Sequence, residues 1–584
     1  MTISSRVEAD GVGRGLWGAA LLAALALTLA NAAKPLVIDD PVYVAVARQI
    51  EAHPSDPYGF ELFWYDAPEP AMRVGTLAPV LPYWLAGAMA LFGDWPVAWK
   101  LSLLPFALVL TGSLAFLLAR FAKPLARPVL WTLALGPSVL PGLSLMLDVP
   151  AVALGLLGFA LFVRACECER MALALAAGLV LGLAMQTKYA AVSYPALVLI
   201  YAALYRRPRE AAVACLAAAG LFVGWEALLV ARYGQSHFLA GIERVRTANL
   251  LADVTRASGG LPGSTALYWT LGLFSLVGGT AAYAALLALV GLGVRRTLVS
   301  LAAIAVGLVF AGVLVLPSPP AGEPKGLVAT LAVFNPELVL FVPLGAGVAA
   351  CIIAAELSLL RRADATDRRA DRLLAGWFLL ELVGYFVISP YPAVRRVIGL
   401  SIAATLLAAR AAARRMGERD ARTGARVATV LGLGVAALYF GSELSDARAR
   451  RALVEKVAQR LATLGASPAR ETLWYTGHWE FQFYAERAGW HAVIPGASRL
   501  RRGDWLVIPA NVDQPRISYP PGFERVARVA VTSRSPWSTI PSYHSGAVPL
   551  GRQRVPHASA RLYRVTQDLE AKTAAPPIAG AEAR

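Results

Sequence analysis

The sequence predicts a polytopic α-helical membrane protein with a small soluble α/β region at its C-terminus. Hydrophobic residues make up 57% of the 584 residues and charged residues only 16%, which excludes an ordinary soluble globular protein. The long apolar runs end near residue 442, and a more polar, mixed pattern follows. The net charge of +17 does not require a nucleic-acid partner, because basic residues concentrated in cytoplasmic loops give the same excess.

Apolar runs long enough to cross a membrane recur along the first three quarters of the chain. Residues 30–32 (Ala-Asn-Ala), at the end of the first run, resemble a signal-peptidase site. Whether or not the chain is cut there, the residues that follow emerge on the outer side. The expected spans lie at about 15–33, 97–119, 128–146, 149–165, 171–187, 189–205, 211–231, 265–293, 297–316, 337–360, 372–389, 394–414 and 425–442.

A further apolar run at about 76–92 is short and interrupted by prolines, and its position decides the topology. If it spans, every arginine-rich loop faces outward. If it lies along the outer surface, those loops face the cytoplasm, as the positive-inside rule requires. The second arrangement predicts about thirteen spans, a cytoplasmic N-terminus and a periplasmic or extracellular C-terminal region in a cell inner or plasma membrane. The loops in question begin at Arg120, Arg206, Arg295, Arg361 and Arg410.

The region after the last span predicts a small α/β domain. Residues 444–464 have leucine and valine at helical spacing, and residues 481–488 favour a second helix. Strand-like stretches lie at 472–476, 505–508, 526–530 and 562–565. We therefore expect a transmembrane domain over residues 1–442 with a first outer loop over about 34–96, a soluble exoplasmic domain over 443–568, and a disordered Ala- and Pro-rich tail over 569–584.

Two adjacent carboxylates, Asp39 and Asp40, directly follow the first apolar run. Carboxylates close to hydrocarbon are costly to keep, so the pair indicates a functional site. Pro41 suits the first position of a helix over about residues 41–52, which makes Asp40 the natural N-cap. Asp40 therefore has either a capping or a chemical role. Asp39 lies one residue outside the cap, and we expect it to carry the chemistry.

Other charged residues lie on the same outer side as Asp39. Asp148 is either a helix cap or a second acid of the site. Lys188, in a tight turn, either extends to the interface or meets a phosphate at the membrane surface. Arg395 and Arg396 open a span from the outer side, against the positive-inside rule, as an incidental pair or as phosphate ligands. Guanidinium groups bind phosphate oxygens bidentately, which favours the second interpretation.

The combination of acids and cations predicts displacement of a lipid phosphate from a sugar carbon. A carboxylate accepts the proton of the attacking hydroxyl, and the cations stabilise charge on the departing phosphate. Adjacent Asp39 and Asp40 would project about 100° apart on a helix, so they are badly placed to flank one bond as acid and nucleophile. The pattern argues against double displacement and for single displacement with inversion, with Asp39 as general base.

Five short stretches contain these charged residues or tyrosines and prolines: 38–48, 79–85, 147–150, 186–189 and 393–396. In order and in type they resemble motifs of the GT-C fold glycosyltransferases that use polyprenyl-phosphate sugars. That family includes the protein O-mannosyltransferases, glycosyltransferase family 39, and the bacterial transferase that adds aminoarabinose to lipid A. The first stretch is similar to its Asp-Glu/Asp-x-x-Tyr-x-x-x-Ala-Arg signature. The second departs from Pro-Pro-Leu-Tyr-Tyr-Trp in its first prolines, and the last has arginine in place of the tyrosine of Ala-Ala-Arg-Tyr.

The resemblance implies roles for particular residues. Asp39 would be the catalytic carboxylate, with Asp40 in the usual Glu/Asp place and Asp148 as a second acid. Lys188 and Arg395, with neighbouring Arg396, would bind the lipid phosphate. Candidate substrate contacts are the motif tyrosines Tyr43 and Tyr83, and His478 in the aromatic stretch 474–484. Those aromatic side chains either stack on sugars or fill the core of the small domain.

The implied activity is that of a hexosyl- or pentosyltransferase with a preassembled lipid-linked donor. The chain has no nucleotide-binding fingerprint and no histidine cluster, so we expect no cofactor and predict no metal, although a divalent ion is not excluded. The expected partners are the bilayer, a polyprenyl-phosphate sugar, and an exoplasmic lipid, glycan or protein acceptor. The alternatives are a transporter or flippase of lipid-linked sugars and a membrane receptor. A transporter favours charges deep within spans, whereas these charges lie at outer ends.

Overall fold

A computed structural model gives the fold and describes residues 3–64, 67–74, 77–247, 264–316, 336–362, 365–417, 419–467, 469–510, 517–518, 522–553 and 558–573. Helices dominate up to residue 463, and a region with strands follows. The helices of the first part are α1 (Ile3–Ala32), α2 (Asp40–Ala52), α3 (Val80–Phe92), α4 (Pro96–Leu101), α5 (Leu104–Phe121), α6 (Ala126–Ala134), α7 (Asp148–Cys168), α8 (Met171–Met185), α9 (Ser193–Tyr205), α10 (Pro208–Tyr233), α11 (His237–Thr247), α12 (Ser264–Gly291), α13 (Arg296–Val315), α14 (Leu338–Arg362), α15 (Ala365–Ile388), α16 (Ile398–Ala413) and α17 (Arg419–Thr463).

The chain is a polytopic α-helical membrane protein. Eight helical segments in the described part are long and apolar enough to cross a membrane, and four apolar helices are shorter. The expected count of about thirteen spans is not confirmed. The eight segments are Gly13–Ala32, Pro96–Phe121, Asp148–Cys168, Pro208–Tyr233, Ala266–Gly291, Arg296–Val315, Leu338–Arg361 and Arg419–Thr463, and the shorter helices are Val80–Phe92, Met171–Met185, Tyr189–Tyr205 and Ile398–Ala413.

The expected span over 128–146 is wrong. Helix α6 has only nine residues and ends at Ala134, and a short 3-10 turn follows at Leu140–Gly142. Pro137 and Pro141 explain the difference, because proline lacks the backbone N–H that would continue the helix. The apolar composition here reflects burial inside the bundle, where residues from Gly136 to Asp148 pack as an irregular connection.

The first outer loop contains α2, a short β-hairpin and α3. Strands β1 (Glu61–Trp64) and β2 (Ala67–Pro70) pair antiparallel, and α3 packs against α2. Helix α3 has 13 residues and therefore rises only about 20 Å, less than the roughly 30 Å of a hydrocarbon core. This length fits a helix that does not span.

Basic residues cluster at one end of the bundle, opposite to Asp148. Arg207 lies 2.8 Å from Glu169 just beyond the C-terminus of α7, and Arg410 donates to the carbonyl of Phe121. Since α7 has 21 residues, these groups lie about 30 Å from Asp148 at its first residue.

Helices α12 and α14 pack closely because glycines face each other. A Cβ atom at Gly345 would lie 1.7 Å from the carbonyl oxygen of Phe274, and one at Gly278 would lie 2.5 Å from that of Phe341. Small residues at such contacts let helix backbones approach closely in a membrane, where packing rather than water exclusion holds helices together.

The last helix and the sheet form one unit. Helix α17 runs for 45 residues, so the expected last span and the amphipathic helix over 444–464 are one continuous helix. Leu453, Val457 and Leu461 on its second half pack against the sheet. The further elements are β3 (Leu473–Tyr475), α18 (Trp479–Arg487), β4 (His491–Ala492), β5 (Arg499–Leu500), β6 (Trp505–Pro509), β7 (Ile517–Ser518), β8 (Phe523–Val531), β9 (Trp537–Ser538), α19 (Ile540–His544), β10 (Gly551–Arg552), β11 (Ala558–Val565), β12 (Leu569–Glu570) and β13 (Lys572–Thr573).

Five strands form one mixed sheet in the order β4-β3-β6-β11-β8. The pairs β4–β3 and β3–β6 are parallel, and β11 is antiparallel to β6 and to β8. The four expected strands are confirmed as β3, β6, β8 and β11, and the expected helix over 481–488 is confirmed as α18. Part of the expected disordered tail is wrong, because β12 and β13 pair with β5 and β7. The rest of the tail, residues 574–584, lies outside the described residues.

The segment between β8 and β11 returns from the sheet to the helical bundle. The N–H of Gly546 donates to the carbonyl of Pro392 at 2.8 Å, and the N–H of Arg552 donates to Glu337 at 3.0 Å. A Cβ at Gly142 would overlap the phenol of Tyr543. This returning segment carries α19 to the turn Val394–Arg396 of the bundle.

We predict that Gly345→Ala destabilises the helical bundle by about 1–3 kcal/mol, the usual cost of overpacking, because the new methyl group overlaps the backbone of Phe274. Thermal unfolding in detergent measures the change. Gly347→Ala is the matched control, because a Cβ there has no neighbour within 4 Å. Equal unfolding temperatures for the two variants would contradict the packing described here.

Candidate active site

The Asp39 carboxylate lies where three distant parts of the chain meet. Asp39 is the N-cap residue of α2, and its side chain is 17% exposed. Its Oδ2 lies 3.2 Å from Nδ1 of His544 and 3.5 Å from Nη1 of Arg395. His544 is the last residue of α19, and Arg395 lies in the short 3-10 turn Val394–Arg396. The first outer loop, a late membrane turn and the C-terminal region therefore share one carboxylate.

Arg395 connects this carboxylate to a second one. Its Nη1 lies 3.8 Å from Oδ2 of Asp148, its Nη2 donates to the hydroxyl of Tyr391 at 2.9 Å, and its Nε donates to the carbonyl of His544 at 3.2 Å. The side chain is 7% exposed. A planar guanidinium with five donors can serve several acceptors at fixed angles, which an ammonium cannot do.

Lys188 forms an ion pair with Asp148. The lysine lies in the turn between α8 and α9, and Asp148 is the first residue of α7, so the tight turn and the helix N-terminus hold the pair together. Burial lowers the pKa of Lys188 from its ordinary value, and Asp148 offsets part of this effect. Asp148 thus has a cation on either side, Lys188 and Arg395.

A cavity of about 80 Å³ opens beside these cations. Asp148, Lys188, Arg395 and Arg396 line it together with Glu381 of α15 and with residues of α7, α9 and α16. The guanidinium of Arg396 lies 5.5 Å from the ring of Tyr391, and its Nε makes no hydrogen bond to any described residue. Asp39 does not line this cavity, but it contacts Arg395, which does.

The charges around Asp39 favour its ionised form. Burial alone raises the pKa of a carboxyl, but His544, Arg395 and, more weakly, His478 outweigh it, so the pKa of Asp39 is lowered. The group is therefore a carboxylate at neutral pH.

Asp40, expected as an N-cap and as a member of the catalytic pair, has a different position. Helix α2 begins at Asp40 itself, and its carboxylate is fully buried. Oδ2 accepts hydrogen bonds from the Ser144 hydroxyl at 2.5 Å and the Val37 N–H at 3.1 Å, and it lies 3.8 Å from Lys100. The two adjacent acids thus point into different surroundings, the N-cap is Asp39 rather than Asp40, and a catalytic role of Asp40 stays a prediction.

The three expected substrate contacts lie in different places. Tyr43 is buried one turn after Asp39, and burial followed by the charge of Asp39 raises its pKa. Tyr83 lies apart from this group, since its hydroxyl donates to the carbonyl of Pro54. Buried His478 contacts Gln482 at 3.0 Å and packs edge-on against Trp64. Burial lowers the pKa of His478 to about 4, which keeps the ring neutral at neutral pH.

Sequence reasoning missed His544 and Glu480. Both belong to the C-terminal region, and neither has a fixed spacing from Asp39 that would reveal the contact. Among the described residues, no group of three or more His, Cys, Asp or Glu is arranged to hold a metal ion. The absence of a metal therefore stays a prediction.

Comparisons with known proteins give matches among solved structures only. No protein-family model matches the sequence, and no curated protein matches it. The oligosaccharyltransferase of Archaeoglobus fulgidus, solved with zinc and sulfate, matches 84% of this chain and 67% of its own at 12% identity and a TM-score of 0.45.

ArnT from Cupriavidus metallidurans matches over nearly its whole length. The apo structure covers 86% of this chain and 93% of its own at 12% identity and a TM-score of 0.34. The structure with undecaprenyl phosphate has 14% identity, the same TM-score, and coverage of 84% and 92%. Both proteins are GT-C glycosyltransferases.

We predict that Asp40→Ala lowers stability by about 3 kcal/mol, because it leaves a buried ammonium without its carboxylate and a buried hydroxyl without its acceptor. Thermal unfolding in detergent is the measurement. Asp94→Ala is the control, since Asp94 is 56% exposed and pairs with surface arginines. A normal unfolding temperature for Asp40→Ala would restore a chemical role as the better explanation of this residue.

Proposed function

We propose that the chain is an integral-membrane glycosyltransferase that moves a sugar from a polyprenyl-phosphate donor to an exoplasmic acceptor. The observation that carries the proposal is the shared guanidinium of Arg395, which contacts Asp39 on one side and Asp148 with its partner Lys188 on the other. One flank offers a base and the other offers cations, which are the two requirements for displacing a phosphate.

In the proposed reaction, Asp39 acts as general base. The acceptor hydroxyl gives its proton to the Asp39 carboxylate while its oxygen forms a bond to the anomeric carbon of the sugar. The bond from that carbon to the phosphate oxygen breaks, and the electron pair leaves with the lipid phosphate. Lys188, Arg395 and Arg396 stabilise the charge that grows on this oxygen.

Single displacement with inversion is the expected stereochemical course. A double displacement needs a carboxylate nucleophile beside a separate acid. Asp40, the adjacent candidate, is engaged with Ser144 and Lys100, and Asp148 is engaged with Lys188. Asp39 is the most exposed of the three acids, with 17% of its side chain exposed against 3% for Asp148 and 0% for Asp40.

The proposed orientation puts the site at the outer membrane surface. The basic groups around Arg207 and Arg410 would face the cytoplasm, and the N-terminus would lie there as well. The region 443–568 would then be an exoplasmic domain next to the membrane domain 1–442. The acidic and basic residues of the site are suited to a lipid headgroup held at this level, and the acceptor would enter from the aqueous side.

The decisive test is transfer by the purified protein from a panel of undecaprenyl-phosphate sugars, undecaprenyl phosphate being the ligand bound in one ArnT structure. Mass spectrometry follows the products, and NMR of the new linkage gives its anomeric configuration. We expect Asp39→Asn to reduce transfer by at least about 10³-fold while the protein stays folded, because the amide cannot take the proton.

Asp94→Asn is the control for this experiment, since it makes the same chemical change at an exposed site. Near-normal transfer by Asp39→Asn would refute the assignment of the base. Movement of the labelled donor across vesicles without any new bond would instead support a transporter or flippase.

We predict that Arg395→Lys lowers kcat/KM by about 10²-fold, the usual effect of losing one positioned donor to developing charge. A lysine has a single charged nitrogen and cannot serve Asp39, Asp148 and the His544 carbonyl together. Steady-state kinetics with the active donor measures the loss, and exposed Arg499→Lys is the control. Unchanged kinetics would mean that a point charge is sufficient at this position.

A further inference from the structure

The C-terminal region contacts the loop that leads into Asp39 at consecutive points. The hydroxyl of Tyr484 accepts the N–H of Leu36 at 3.0 Å, and Oε2 of Glu480 accepts the N–H of Ile38 at 3.0 Å. His544 then meets the Asp39 carboxylate itself. The loop between α1 and α2 is thus held from the side of the sheet, by residues more than four hundred positions away.

Ile38 depends on contacts from other parts of the chain because its backbone conformation is unfavourable. Its φ angle is 44°, in the left-handed region. A β-branched residue rarely adopts this conformation, and it persists only where the surroundings fix it. The Ile38 side chain is buried in a small apolar group with Val37, Ala447 and Ile540, which adds a second constraint from the C-terminal region. The residue immediately before Asp39 therefore has a strained backbone that contacts with the C-terminal region hold in place.

Glu480 is positioned to hold the Ile38 backbone. The residue is 2% exposed and lies in the first turn of α18. Its Oε1 pairs with Arg450 at 2.8 Å, and Arg450 also lies 3.2 Å from Asp446 one helical turn away on α17. The charge of Glu480 is thus balanced by Arg450, while Oε2 is directed to the Ile38 N–H.

His544 is fixed by its own backbone and ring contacts. Its carbonyl accepts Nε of Arg395, and two residues later the Gly546 N–H donates to Pro392. Its ring lies 5.7 Å from that of Trp479 in an edge-on arrangement. The imidazole is therefore held against Asp39 from the same side as Glu480.

We propose that the C-terminal region is part of the catalytic centre, with Glu480 and His544 as positioning residues that aim the Asp39 carboxylate. Glu480 fixes the backbone before Asp39, and His544 fixes the carboxylate beside Arg395. The inference rests on the proposed function, in which Asp39 takes a proton during transfer. It adds that the base is correctly oriented only when the sheet region is docked on the bundle.

The first test compares three changes at Glu480 in the full-length protein. Glu480→Gln keeps an acceptor for the Ile38 N–H, and we expect its kcat to stay within about 3-fold of the unaltered protein. Glu480→Asp and Glu480→Ala withdraw or remove the acceptor. We expect both to lower kcat by about 10–100-fold, the effect of a small displacement of a reacting group. Glu480→Asp keeps the charge opposite Arg450 and serves if the alanine variant does not fold.

The KM for the lipid donor and the binding of undecaprenyl phosphate should stay unchanged in these variants, since Lys188 and Arg396 are untouched. A general folding defect would alter both. Glu455→Ala, at an exposed glutamate of α17, is the control. A kcat within 2-fold for Glu480→Ala, with Asp39→Asn inactive, would overturn this inference and leave the proposed function intact. Normal transfer by Asp39→Asn would instead remove the proposed function.

A rescue experiment tests the strained backbone directly. Glycine adopts positive φ at little cost. Adding Ile38→Gly to Glu480→Ala should therefore raise kcat at least 5-fold above that of the single Glu480→Ala variant. The same two changes form a double-mutant cycle in thermal unfolding, which measures the coupling of residues 38 and 480 whether or not a sugar is transferred. Strictly additive effects in both measurements would show that Glu480 does not hold Ile38.

Two substitutions at His544 separate the effect of side-chain size from the effect of a polar contact with Asp39. His544→Asn keeps a nitrogen near the position of Nδ1, whereas His544→Leu keeps only bulk. We expect His544→Leu to lower kcat about 10–100-fold with unchanged KM. The kcat of His544→Asn should be at least 5-fold higher than that of His544→Leu. His491→Leu, at an exposed histidine of β4, is the control. Equal kcat for the two variants at position 544 would overturn the positioning role of the imidazole.

Discussion

The guanidinium of Arg395 is the interaction on which the outer end of this protein depends. It lies between two carboxylates, Asp39 and Asp148, and donates to the backbone of His544. Without it, two mostly buried anions would face each other in a medium that solvates charge poorly. The same group also donates to the C-terminal segment, so one side chain takes part both in charge neutralisation and in docking of the sheet region.

Two separate charge networks meet at the end of α1. One contains Asp39, Arg395, Asp148 and Lys188, and it borders the cavity. The other contains the buried pair of Lys34 and Glu443 at 2.6 Å, together with Lys100 and Asp40. Each carboxylate of this second network has a lysine beside it, as buried charges require. The adjacent acids 39 and 40 thus belong to different networks.

Much of this arrangement could be predicted from the sequence because it depends on local signals. Hydropathy predicted the membrane helices, and short strand-like stretches predicted β3, β6, β8 and β11. The positive-inside rule predicted one side of the membrane for Asp39, Asp148, Lys188 and Arg395, and the structure brings these four side chains into contact.

The errors came from places where tertiary contacts decide. Composition could not distinguish the buried irregular chain after α6 from a span, although its prolines were visible. The capping rule misjudged Asp40, because Ser144 and Lys100 lie about 104 and 60 positions away in sequence and only the fold brings them close. His544 and Glu480 were not predicted for the same reason, and Tyr83 was placed in the site on motif likeness only.

The unbroken helix α17 has a mechanical consequence. Its 45 residues extend about 70 Å, more than twice the roughly 30 Å of a hydrocarbon core, and its second half carries Arg450 and the apolar stripe beneath the sheet. An unbroken helix transmits its inclination from one end to the other. When a thicker or thinner bilayer changes the tilt of such a helix, the sheet must lean with it, so lipid composition bears on how the sheet region sits against Asp39.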